Sequence, residues 1–262
     1  MRFVALLLMP LALLHAETAA ERGKRVVMQA LDAMGGDRFL AMKDRVEAGR
    51  GYSFYRERLT GMAHAKMYTR YVDHPEKNQL SSRERQAFGK DEEQAVLFMP
   101  DGAGWEVTFR GARPLPDERV ERYRDTTTHN ILYILRTRLK EPGMIFESKG
   151  SDVIDNMPVE IVEIADSENR VTMVYFHQST KLPIRQTFFR RDPKTRERDE
   201  EVTVFSKYRD VGGGVQWPFA VQRERNGEKI FEMYAEEVRI NQSLPDKYFE
   251  LPENAKKLKP AD

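Results

Sequence analysis

The side chains that could carry chemistry are few and scattered. Past the first sixteen residues the histidines are His64, His74, His129 and His177, with no metal-ligand spacing among them. His74, beside Pro75 in a polar stretch, reads as a solvated loop residue. The chain has no cysteine, which excludes thiol catalysis and zinc–thiolate sites. Carboxylates bunch at Asp199-Glu200-Glu201, but inside the run Arg190–Glu201, whose charges alternate in sign around Pro193; that run is most simply a solvated hairpin tip. Gly35-Gly36 lacks the preceding strand and the following Lys-Ser/Thr of a phosphate loop, and Gly102-x-Gly104 and Gly212-Gly213-Gly214 read as turns. Gly-x-Ser-x-Gly, His-Glu-x-x-His and Walker patterns are all missing. The expectation is therefore no catalytic residue, no cofactor and no metal, which leaves binding through apolar side chains.

Two segments supply candidates for that. Asn226-Gly227 is a strong two-residue hairpin signal, because both turn residues must accept positive φ. A tight turn there pairs Arg225 with Glu228. Continuing that register puts Trp217, Phe219 and Val221 on one face with Ile230 and Tyr234, and Ala220, Phe231, Met233 and Ala235 on the other. The first group is bulkier and is expected to face a ligand concavity, although Glu232 falls on that face and a bulge near Glu236-Glu237 would shift the register. The same face read as ordinary core accounts for it equally well. The second segment is helical, with Ile131, Leu132 and Leu135 as candidate ligand contacts.

The elements that must hold these residues are mostly short strands. After Gly150 they read as Val159–Ile164, Val171–Phe176, Ile184–Arg191, Val202–Tyr208, Trp217–Glu224 and Lys229–Ile240, each closed by a turn signal, which implies an antiparallel meander. The first half gives Arg45–Arg58, a turn at Thr60-Gly61, then Ala63–Val72, Ser82–Phe88, Gln94–Met99 and Trp105–Arg110. Between the two groups a helix starts at Leu115-Pro116-Asp117 and runs to about Glu141, with a break near Asp125–Thr128 and Pro142-Gly143 at its end. Ile131, Leu132, Ile134, Leu135 and Leu139 make its second half broadly apolar. It is either a core helix or a plug over a groove, and the two roles are compatible.

The chain opens with Arg2 and a short apolar run, Phe3 to Leu14, followed by Ala16, or alternatively Ala20, as a small residue for cleavage. Residues 1–16 are expected to be a leader, leaving 17–262 as one domain. No cysteine follows the run to take a lipid anchor. A helix from Glu17 to Met34 follows, with Val26, Val27, Ala30, Leu31 and Met34 on one face and Gly35-Gly36 as its stop. Lys+Arg 43 against Asp+Glu 42 gives no basic excess, so nucleic acid is not an expected partner.

At this point the chain resembles a known family. The leader and first helix, an Ala-Met-Gly-Gly segment and the mid-chain helix are similar to the outer-membrane lipoprotein carrier (LolA)-like proteins. So are Val174-Tyr175-Phe176 followed by Thr180-Lys181-Leu182-Pro183-Ile184-Arg185, then Tyr208-Arg209-Asp210-Val211-Gly212, Trp217-Pro218, and Leu244-Pro245-Asp246-Lys247-Tyr248-Phe249 with Pro252. The resemblance covers most of the chain after the leader and none of its motifs is catalytic. It implies an incomplete antiparallel β-barrel with helices over the concave face. It also implies an apolar concavity for acyl chains and a periplasmic location. No lid-fastening arginine is assigned by it.

Three function classes follow: a periplasmic carrier of lipoproteins or other acylated molecules; a lipid-sensing regulatory or assembly module that binds an inner- or outer-membrane envelope protein; and, last, a hydrolase, for which no nucleophile constellation exists. A fold alone does not choose among them.

Overall fold

The computed structural model describes residues 16–73, 79–99, 101–192 and 196–260. The leader up to residue 15, His74, Pro100 and Pro193 lie outside the described residues.

Among the described residues, thirteen strands form a single antiparallel sheet. The first group is β1 (Asp44–Tyr55), β2 (Arg58–Tyr71), β3 (Ser82–Phe88), β4 (Gln94–Phe98), β5 (Gly104–Thr108) and β6 (Gly111–Pro114). The second is β7 (Ile145–Ile154), β8 (Met157–Ala165), β9 (Val171–His177), β10 (Pro183–Arg191), β11 (Arg198–Asp210), β12 (Gln216–Arg225) and β13 (Glu228–Ile240). Each group is a meander of sequence neighbours, and β1 pairs with β13 to join them into the order β6-β5-β4-β3-β2-β1-β13-β12-β11-β10-β9-β8-β7. The edge strands β6 and β7 do not pair with each other, so the sheet is not closed into a barrel.

The expected strands are present, and β6 and β7 are additional. β7 was hidden because Glu147-Ser148-Lys149-Gly150-Ser151-Asp152 is polar and glycine-containing, and it carries a register shift between Ser148 and Gly150. The expected turn at Thr60-Gly61 is displaced to Arg56-Glu57, both at positive φ, while Gly61 pairs with Ser53 inside the ladder.

Helices cover one face of the sheet, called here the inner face. Helix α1 (Ala19–Met34) begins at a capping box, in which the Thr18 hydroxyl accepts from the Glu21 N–H and the Glu21 carboxylate accepts from the Thr18 N–H. Its buried stripe is the expected one, Val26, Val27, Ala30, Leu31 and Met34. It crosses β7 at Gly23, where a Cβ would sit 2.7 Å from the Phe146 carbonyl oxygen. Helix α2 (Asp37–Leu40) is a single turn that buries Phe39.

The mid-chain helix is broken at Asn130, slightly beyond the expected Asp125–Thr128. Helix α3 (Asp117–His129) ends there, and Asn130 has extended backbone (φ −70°, ψ 121°). Its side chain then caps the next helix, accepting from the Leu132 N–H at 2.9 Å. Helix α4 (Ile131–Tyr133) continues into a π-helical turn, Ile134–Arg138. No helix among the described residues is long and apolar enough to cross a membrane.

The main core is built by α1, α2, α4 and the inner-face residues of the second strand group. Ile131, Ile134 and Leu135 from the mid-chain helix meet Val162, Ile164, Val174, Phe176, Phe205, Trp217 and Phe219 from the sheet. On the opposite face Tyr68 and Ala87 are covered by Leu244 and Phe249 from the C-terminal segment, with Tyr68 and Tyr248 stacked at 4.7 Å.

Candidate functional site

Helix α3 differs from α1 and α4 in what it covers. Its only buried residue is His129. Between it and the inner face lies a cavity of about 450 Å³, within the range of small-molecule sites. Phe88 and Phe98 from β3 and β4, Leu132 from α4, and Val221, Phe231 and Met233 from β12 and β13 supply apolar wall. Polar and charged residues make up much of the remaining lining, including Arg45, Glu47, Glu84, Arg190, Glu201 and Arg223.

The β12–β13 hairpin decides which side chains reach this cavity. Arg225 pairs with Glu228 as the turn signal requires. After the next pair the expected register fails. Glu224 pairs with Lys229 but Arg223 pairs with Phe231, so Ile230 is an extra residue in β13. From there Val221 faces Met233 and Ala220 faces Tyr234. Phe231 and Met233 therefore point inward with Val221. Tyr234 is corrected to the outer face, where it meets Tyr52 edge-on at 6.1 Å. A second shift, at Ala48/Gly49 against Glu237/Ala235, keeps Val238 on the inner side. This is the bulge foreseen near Glu236-Glu237.

The other named residues are divided. Trp217, Val221, Ile230 and Leu132 line the cavity, whereas Phe219, Ile131 and Leu135 do not. Ile131 and Leu135 are wholly buried and Phe219 nearly so, all three in the main core.

The charged floor is ordered. The Arg45 guanidinium lies 4.0 Å above the Trp217 ring and donates to Glu47 (2.6 Å), Tyr71 (2.7 Å) and Thr69 (3.1 Å). Burial alone would lower its pKa, but Tyr71, Glu47 and Glu84 more than reverse this and hold it above the ordinary value. Glu84, beside it, accepts from Gln86 at 2.6 Å, and burial pushes its carboxyl up. On the other wall Arg190 and Arg225 share one carboxylate, Glu201; the Arg225 Nε donates to its Oε1 at 2.9 Å, and Arg190 pairs with the same oxygen. Burial lowers the pKa of both Arg190 and Arg223. The Nε of Arg223 and the Nη1 of Arg190 are buried without a hydrogen-bond partner. These charged residues escape sequence reading because arginine and glutamate are frequent throughout the chain. Only β1 offers a signal, with Arg45 and Glu47 alternating with Val46 and Ala48; Glu84 and Arg223 are flanked by polar residues, so nothing marks them.

Hydrogen bonds from several side chains tie the helical cover down; Gln186 and Arg138 make the most buried of them. Gln186, fully buried on β10, accepts from the Ile131 N–H at 2.8 Å. Arg138 donates to the Thr128 carbonyl (2.8 Å), to Glu141 (2.7 Å) and to Asp166 in the β8–β9 turn (2.8 Å). Burial would raise the Asp166 carboxyl, but hydrogen bonds from Arg138 and Arg170 bring it down to about 2. His129 stacks on Phe188 at 4.2 Å, and its Nδ1 lies 2.8 Å from the Asp125 carbonyl oxygen. Among the described residues no group of three or more His, Cys, Asp or Glu side chains is placed to hold a metal ion.

No protein-family model matches the sequence, and no curated protein matches it. Solved structures do. A putative outer membrane lipoprotein-sorting protein domain from Vibrio parahaemolyticus is 12% identical, with a TM-score of 0.59 over 88% of this chain and 97% of that one. A DUF1329 family protein from Desulfovibrio piger is 13% identical, with a TM-score of 0.58 over 87% and 97%. A LolA superfamily protein from Nitrosomonas europaea is 11% identical, with a TM-score of 0.54 over 87% and 97%. At these identities the likeness is one of fold: the chain is built on the scaffold of the LolA superfamily protein and the lipoprotein-sorting domain.

Proposed function

We propose that this chain is an exported, periplasmic carrier that shelters an acyl chain, of a lipoprotein or of another lipid, between helix α3 and the inner face of the sheet. The observation that carries the reading is the cavity itself. It lies under the least apolar of the long helices, while the neighbouring α1 and α4 close tightly over the apolar part of the sheet. A cover that buries little of its own surface is released at little cost, which suits reversible uptake. The fold shared with the lipoprotein-sorting domain agrees with this reading.

A second reading is favoured by a separate observation. Tyr55, Phe109 and Phe189 are exposed at the same end of the sheet, on alternate hairpins separated by the β3–β4 and β12–β13 hairpins. Arg56, Arg110 and Arg198 lie over their rings at 5.3, 5.4 and 4.4 Å. Exposed aromatic residues with arginine suit contact with another envelope protein. On this reading the chain senses lipid and passes the signal to a protein.

One preparation separates the readings. The chain is expressed with its leader, purified from the periplasm without detergent, and its extract analysed by mass spectrometry. A stoichiometric acylated species supports the carrier. A lipid-free chain that co-purifies with a defined envelope protein supports the second reading.

A further inference from the structure

We propose that the charged lobe of the cavity binds the anionic headgroup, phosphate or carboxylate, of an amphiphile whose chain lies along the apolar wall. The proposal rests on the lipid-binding reading for the chain, and on the guanidiniums for the headgroup. Six arginines but three glutamates line the cavity. Arg45 and Glu47 neutralise each other within it. Arg122 pairs with Glu118 on its own helix at 3.8 Å. That leaves four guanidiniums, Arg119, Arg190, Arg223 and Arg225, facing Glu84 and Glu201.

Those two carboxylates do not satisfy the remainder. Glu201 is divided between Arg190 and Arg225 through one oxygen. Glu84 is bound to Gln86, and no carboxylate among the described residues comes within 4.0 Å of Arg223. The Asp125 carboxylate approaches the Arg190 Nη1 only to 3.9 Å, too far for a hydrogen bond. Two buried N–H groups, on Arg223 and Arg190, therefore remain open beside the cavity. A buried charged donor left unpaired is costly. A phosphate or carboxylate offers several acceptor oxygens and matches the guanidinium fork. The Tyr123 hydroxyl, engaged by Thr127 and Glu84, lies on the lid side of the same cavity.

Isothermal titration calorimetry on the lipid-stripped chain without its leader tests this. The probes, each below its micelle concentration, are dodecyl phosphate, dodecanoate, uncharged monolauroylglycerol and inorganic phosphate. Both anionic amphiphiles are expected to bind at least tenfold more tightly than monolauroylglycerol, and inorganic phosphate far more weakly than dodecyl phosphate. Arg223→Gln should remove most of that preference, lowering affinity for dodecyl phosphate and dodecanoate at least fivefold more than affinity for monolauroylglycerol. Arg225→Gln, at the rim, serves if Arg223→Gln does not fold. Equal affinity for charged and uncharged probes overturns the headgroup site but leaves the carrier reading standing. Inorganic phosphate binding as tightly as dodecyl phosphate overturns the amphiphile in favour of a free anion. Binding of none of the four probes overturns the carrier reading as well.

Discussion

Asp166 shows how one residue holds the cover in place and what acid does to it. Its carboxylate accepts from Arg138 of the π-helical turn and from Arg170 of its own turn, and it is almost completely buried. Its pKa of about 2 lies below the ordinary 3.8. A depressed carboxylate contributes stability that is present above the ordinary value and is lost as pH falls through the folded one. Urea unfolding should therefore show a loss on the order of 1–2 kcal/mol between pH 4 and pH 2 from this residue. Asp166→Asn should remove that part of the slope and lower stability at pH 7. An unchanged slope in the variant would show that Arg138 is not held through this carboxylate. Gly49 makes a steric prediction at the same scale. A Cβ there would run into the Tyr234 carbonyl oxygen across the β1–β13 bulge. Gly49→Ala is expected to cost about 1–3 kcal/mol in thermal or urea unfolding, and a neutral result would mean that the bulge relaxes freely.

Among the elements, the β12–β13 hairpin separates what a sequence reveals from what it hides. Asn226-Gly227 announced its turn and the Arg225–Glu228 pair by chemistry local to four residues. Ile230, the extra residue that sends Tyr234 outward and Met233 inward, carries no local mark, since isoleucine suits any strand position. What selects the bulge is the need to keep Phe231, Met233 and Val238 together on the inner side, a demand made by distant strands. The mid-chain helix is similar. Its apolar second half was legible as a core or plug, but the division into α3 and α4 depends on Asn130 turning from one role to another. That division sorts Phe219 as well. It is buried in the closed core rather than in the cavity wall. Phe219→Ala is expected to cost about 3–5 kcal/mol in urea unfolding while leaving dodecanoate affinity of the folded fraction unchanged. A small stability loss with weakened dodecanoate binding would move the site to Phe219 and away from α3.

At the scale of the whole molecule the inner face is divided in two. One part is apolar and closed under α1 and α4; the other is charged and only roofed by α3. The family resemblance implies a single apolar concavity, and inward arginines and glutamates look in sequence like any wet strand face. The physical difference between the halves predicts a difference in motion. Helix α3 is held at its middle, where Tyr123 stacks on Phe98, and at its C-terminal end, where His129 stacks on Phe188. Between them it presents mostly polar residues. Its opening breaks few apolar contacts, whereas opening α1 or α4 dismantles the main core. Hydrogen exchange followed by mass spectrometry should therefore find amides of α3 exchanging well before those of α1 and α4. Saturation with a bound amphiphile should slow α3 and leave α1 unchanged, because the ligand lies under the first helix and not the second. Slow exchange across all three helices, with no change on adding ligand, would make α3 a fixed part of the core and leave no route into the cavity.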